Sequence, residues 1–131
     1  MQEMIGMNYE QARELMKNAR DPAKGQPIGN NTRLYSGDGT YEIKLHGNTI
    51  LVLHPDGFCP TNAGWPTVTT KARLNEHMEM GQIYQQNFVW YYRLADMVYL
   101  FDEVHFVVTH PEYNDDERVL CLSQYTETVI V

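Results

Sequence analysis

The tightest constraint in this sequence is the segment Tyr41–His54, YEIKLHGNTILVLH. Two alternating runs flank Gly47-Asn48, and that arrangement is a strong local signal for a two-residue β-hairpin. With His46 opposite Thr49, Leu45 faces Ile50, Ile43 faces Val52 and Tyr41 faces His54. This register predicts a core face of Tyr41, Ile43, Leu45, Ile50, Val52 and His54. The other face carries Glu42, Lys44, His46, Thr49, Leu51 and Leu53, half polar, with two leucines that ask for partial cover.

Punctuation on either side extends the pattern. Asn8 is a helix N-cap with Gln11 as its capping-box partner, and Tyr9, Ala12, Leu15, Met16 and Ala19 recur at helical spacing. A helix over 8–20 is expected to stop at Asp21-Pro22. Pro22–Asn31 reads as an irregular connector. Residues 32–61 read as β-hairpins: a strand at Thr32–Tyr35, a turn at Ser36–Gly39, the Tyr41–His54 hairpin, and a Pro55-Asp56-Gly57 turn into Phe58–Thr61. A second helix over 69–80, entered through Thr67, Thr69 or Thr70, pairs Leu74 with Met78 and closes at Gly81. Residues 86–131 read as a β-rich half, with strands at Gln86–Arg93, Met97–Phe101, Val104–Thr109, Arg118–Gln124 and Thr126–Val131. A helix through Tyr84–Arg93 is the alternative there. A chain of 131 residues suits one domain. The expected fold is α+β: antiparallel β-sheets with two short helices in a single compact domain.

Charge is spread unevenly. Residues 1–81 hold nine acidic and eight basic side chains, and residues 82–131 hold eight against two, so six of the seven net negative charges fall in the second half. Sequence-independent nucleic-acid binding normally needs the reverse balance. An acidic half suits either a basic partner or a soluble surface. No apolar run reaches the roughly 20 residues of a membrane span, and the first residues lack the pattern of a signal peptide. Cys59 and Cys121 are expected to be reduced thiols, and the chain is expected in a cytoplasm without membrane attachment.

The sequence offers little conventional chemistry. His46, His54, His77, His105 and His110 lack tight metal-ligand spacing. Glu103, His105 and His110 make the best mixed set, yet two of them border a loop. No nucleophile elbow or phosphate loop occurs. Neither a cofactor nor a metal is expected, and the balance of motifs leans against an enzyme. Binding residues are easier to nominate. Trp65, Thr69, Thr70, Lys71 and Arg73 surround a helix start that could meet an anion. Tyr91 and Tyr99 could present rings to a partner. Asp115, Asp116 and Glu117 form an acidic cluster, read equally well as a solvated turn.

Three stretches are more specific. They are Asn30-Asn31-Thr32-Arg33-Leu34, then Leu45-His46-Gly47-Asn48-Thr49 running into His54-Pro55-Asp56-Gly57, then Gly64-Trp65-Pro66-Thr67-Val68-Thr69-Thr70-Lys71-Ala72-Arg73-Leu74-Asn75. In this order they resemble a family of small bacteriophage and prophage proteins, over roughly residues 20–80. Asn48 and Pro66 depart from the usual pattern without disturbing the turns. The resemblance implies a phage context and supplies no catalytic residues. Within it, the expected function is a non-enzymatic accessory protein that binds a host protein or protein–nucleic-acid complex through an acidic surface, mimicry of DNA being one version of that mechanism. A homodimer is the other partnership the aromatic half allows. The alternative function is a small-ligand, nucleotide or nucleic-acid module built on Trp65–Arg73.

Overall fold

The capping box at Asn8 forms as its sequence requires. The Gln11 N–H donates to Asn8 Oδ1 at 2.9 Å, and the Asn8 N–H donates to Gln11 Oε1 at 2.8 Å. In this computed structural model, which describes residues 6–121, the resulting helix α1 spans Tyr9–Met16 and buries Ala12 and Met16. It ends earlier than the periodicity predicts, because Asp21 caps a separate turn of 3₁₀ helix at Pro22–Lys24 instead of terminating α1. The expected connector also holds a strand: β1 (Gln26–Gly29) pairs with β2 (Thr32–Ser36) around Asn30-Asn31, with Asn31 at φ 55°. Asparagine tolerates that left-handed conformation better than most residues.

The central hairpin exists, but its register differs from the expected one, by two residues beside the turn and by one beyond it. β3 (Tyr41–Leu45) pairs with β4 (Asn48–His54) through Leu45↔Asn48 and Lys44↔Thr49, and then through Ile43↔Leu51 and Tyr41↔Leu53. The loop is therefore His46-Gly47, at φ 53° and 83°. Positive φ at both central residues fits the hairpin turn that matches strand twist. A bulge at Ile50 absorbs the extra residue, so Ile50 and Leu51 are both buried. Leu51 and Leu53, expected on the outer face, are thus core, and Val52 and His54 move to the other face, half-buried. A slip of one residue exchanges the faces of a strand, and here it does so beyond the bulge.

β5 (Gly57–Pro60) continues the meander against β4. The next helix, α2 (Val68–His77), starts at Thr67, whose Oγ1 accepts from the Thr70 N–H at 3.1 Å. Helix α2 stops before Met78, so Gly81 is not its cap. Gly81 instead sits at φ 81° in the approach to the following strand, where a Cβ would occupy the space of the Tyr92 hydroxyl. Three strands then form a separate small sheet in the order β6 (Gln82–Gln86), β7 (Val89–Leu94), β8 (Met97–Leu100). The single strand expected over Gln86–Arg93 is two strands, and no helix forms there. The chain turns at Asn87-Phe88, both at positive φ. β9 (Val104–Val108) returns to pair with β5, and β10 (Val119–Cys121) completes a seven-stranded antiparallel sheet ordered β1-β2-β3-β4-β5-β9-β10. The strand expected over Thr126–Val131, and the end of the one expected over Arg118–Gln124, lie outside the described residues.

One apolar cluster joins both sheets and both helices, from Ala12 and Leu34 through Ile43, Leu53, Phe58 and Leu74 to Ile83, Tyr92 and Val107. Polar clamps set the small sheet against α2. Asn75 donates to the Ile83 carbonyl at 2.8 Å and accepts from the Ile83 N–H at 2.7 Å, imitating a strand partner. The buried Tyr92 hydroxyl donates to the Met80 carbonyl at 2.8 Å. The molecule is α+β, mostly β, in one compact domain.

Candidate functional site

The helix-start residues divide into two groups. Trp65 is 62% exposed, on a loop formed by Ala63 and Gly64 at φ 56° and 80°. With Thr69, Thr70 and Thr67 it lines a groove of about 380 Å³, whose other wall comes from Leu45, His46, Asn48 and Ile50 of the hairpin. Lys71 and Arg73 are not part of that lining. The Arg73 guanidinium is turned to the sheet: Nε donates to Thr32 Oγ1 at 3.2 Å and Nη1 pairs with Glu76 at 3.4 Å. Thr70 is buried, and its hydroxyl lies 3.0 Å from that of Thr67. The site nominated for an anion therefore has its cation engaged elsewhere, and part of its helix start is already capped.

The two tyrosines separate as well. The register Tyr84↔Tyr91↔Leu100 places Tyr91 on the outer face of the small sheet, stacked on Tyr84 with centroids 5.4 Å apart. Tyr99 pairs with Tyr92 on the inner face and is half-buried. Burial, and secondarily Cys121 and Asp116 nearby, raise its pKa above the ordinary phenol value. The outer face carries Val89, Val98 and Leu100 beside Tyr91, all with substantial exposure except the stacked rings. At its tip stands Phe88, 93% exposed at φ 67°. Sequence reasoning did not single out Phe88, Val98 or Leu100. The available signal was Asn87, a residue tolerant of positive φ inside an aromatic run too long for one strand.

The acidic cluster is largely architectural. Asp115–Glu117 form a short 3₁₀ turn capped by Asn114, whose N–H donates to Glu117 at 3.3 Å. Asp115 accepts from Arg118 Nε at 3.2 Å. Arg118 is buried and also donates to the carbonyls of Val108 and His110, both at 3.0 Å. Asp116 is exposed. These bonds close the β9–β10 connection.

Burial raises the pKa of both thiols, Cys59 and Cys121, with Glu103 adding to the effect at Cys121. Desolvation also raises the Glu79 carboxyl, opposed by Arg118. Among the described residues no group of three or more His, Cys, Asp and Glu side chains could hold a metal ion. His77 is buried, and its Nε2 has no hydrogen-bond partner among the described residues. Desolvation lowers its pKa below the ordinary imidazole value, with Glu76 opposing and Arg73 reinforcing the shift. No helix among the described residues is long and apolar enough to cross a membrane.

No curated protein and no solved structure matches the chain. The family model for the Kyanoviridae Gp96 protein matches residues 11–118, reaching well past residue 80 into the small sheet and the acidic connector. That span takes in the small sheet, all of the large sheet except β10, and most of the chain, so this phage protein belongs to the Kyanoviridae Gp96 family.

Proposed function

We propose that this chain is a non-enzymatic phage accessory protein that binds a host protein through the outer face of β6–β8. The observation that carries the reading is Phe88. An aromatic ring 93% exposed gains almost nothing from folding. Its backbone conformation costs a non-glycine residue about 1–2 kcal/mol. A side chain that destabilises its own turn and packs against none of the described residues is explained by a contact outside the chain. Val89, Val98 and Leu100 continue the apolar surface from that tip, and exposed apolar patches of roughly 300–600 Å² commonly mark interaction sites.

Charge narrows the partner. Asp96 and Asp102, both exposed, flank β8 in a half of the chain with eight acidic and two basic residues. The surface complementary to this face is a pocket for one phenyl ring, an apolar shelf and a rim of lysine or arginine. A nucleic-acid mimic has less support, because Asp115 and Glu117 are committed to the β9–β10 connection.

The test is affinity capture from host extract at low salt, using wild type, Phe88→Ser and Leu100→Lys proteins of unchanged circular dichroism. The reading requires a protein held by wild type and lost by both variants, with association slowing as salt rises. Capture of the same proteins by all three would overturn it, as would a wild type that retains nothing.

A further inference from the structure

We infer that the groove beside Trp65 is a second, separate binding site, and that its ligand is an uncharged nucleobase or nucleoside. Its floor is apolar: Leu45 and Ile50 are almost fully buried beneath it. Ile50 sits at the β4 bulge, and the Thr61 N–H bonded to the Ile50 carbonyl at 2.8 Å holds the opposite loop against it. Trp65 forms an exposed aromatic wall. The loop that carries it is held by Asn62: the Gly64 backbone N–H donates to Asn62 Oδ1 and the Trp65 backbone N–H to the Asn62 carbonyl, both at 2.8 Å.

Asn48, Asn62, Thr69 and His46 line the groove, while among the described residues no carboxylate, lysine or arginine does. Asn62 Nδ2, the Asn48 amide and the His46 ring have no hydrogen-bond partner among the described residues. The groove therefore combines a stacking wall, an apolar floor and an edge of amide donors and acceptors. That chemistry fits a flat heterocycle with hydrogen-bonding edges, because bases stack on indole and pair their edges with asparagine. Its volume falls at the lower end of small-molecule sites, about 300–1,000 Å³. The absence of lysine and arginine from the lining disfavours a phosphate, and the net charge of −7 repels one further.

The test is calorimetry and tryptophan fluorescence with the four common nucleosides, their monophosphates and a short single-stranded oligonucleotide. Trp90 is buried, so quenching of the long-wavelength emission reports Trp65. Saturable binding of at least one nucleoside is expected, with an equal or weaker monophosphate. Trp65→Ala should weaken it at least about tenfold while leaving the melting temperature of the free protein nearly unchanged. Asn62→Asp keeps the loop bond to Gly64 and removes the Nδ2 donor, so it should change the order of preference among bases. No saturable binding up to about 10 mM would overturn the inference. So would binding indifferent to Trp65→Ala, and so would much tighter, salt-dependent binding of the oligonucleotide, which would require phosphate contacts. None of these outcomes bears on the protein-docking face, which lies on the other sheet.

Discussion

Replacing Phe88 by glycine separates the demands of the fold from those of the surface. Phe88 occupies the second position of the β6–β7 turn at φ 67°, after Asn87 at φ 53°. Asn-Gly is the preferred pair for two positive φ values. Glycine removes the Cβ conflict, a gain of about 1–2 kcal/mol. Its greater freedom in the unfolded chain returns about 0.5–1 kcal/mol. The lost ring subtracts almost nothing, since it is 93% exposed. Phe88→Gly should therefore stabilise the protein by about 0.5–1 kcal/mol, a rise of roughly 2–5 °C in Tm. Urea denaturation gives the free energy and calorimetry the Tm. Phe88→Ala, which keeps the Cβ, should stay within about 0.5 kcal/mol of wild type. Both variants should lose the captured host protein. A Phe88→Gly protein less stable than wild type would show that the ring packs on its own chain, and the docking reading would lose its principal support.

Asn75→Ala removes both bonds to Ile83 and leaves a strand N–H and C=O without partners. It should cost about 2–3 kcal/mol in urea denaturation, with faster hydrogen exchange at the Ile83 amide; an unchanged midpoint would refute the clamp. Arg118→Ala should cost about 3 kcal/mol by stranding two carbonyls and Asp115. Arg118→Lys should recover less than half of that, because an ammonium cannot span three acceptors as a guanidinium does; equal stability of wild type and the lysine variant would count against it. His77 supplies a pH test. Its folded pKa lies below the ordinary value of about 6.5 because burial favours the neutral ring. The stability it contributes is complete above that value and declines as pH falls beneath it towards the folded pKa, where the unfolded chain binds the extra proton. Wild type should thus lose stability between about pH 7 and pH 5 more steeply than His77→Leu, and parallel slopes would contradict the assignment.

The capping box at Asn8, a threonine cap on the second helix and the existence of the central hairpin were legible in the sequence, because each rests on residues within a few positions of one another; that the cap is Thr67 and not Thr69 or Thr70 was not. The β6–β7 turn was not, since Asn-Phe lacks the glycine that announces such a turn and the surrounding residues are apolar on both faces. Of the nominated binding residues, Trp65, Thr69 and Thr70 do share one groove, whereas Lys71 and Arg73 fall outside it and Tyr91 and Tyr99 face opposite ways. Those outcomes depend on where Thr32 and the neighbouring strand lie, which local spacing does not encode.

The sequence by itself determined the two helices, the antiparallel β-rich class and the uneven charge, through propensity, punctuation and composition. Only the tertiary structure decided the hairpin register. His46-Gly47 and Gly47-Asn48 are both admissible turns, and the choice between them moves the pairing by two residues, which leaves the faces unchanged. The exchange of faces comes from the bulge at Ile50, which buries Ile50, Leu51 and Leu53 together, an arrangement favoured once α2 and the rest of the sheet are present to cover them. The bulge also moved Val52 and His54 to the other face, where they are half-buried.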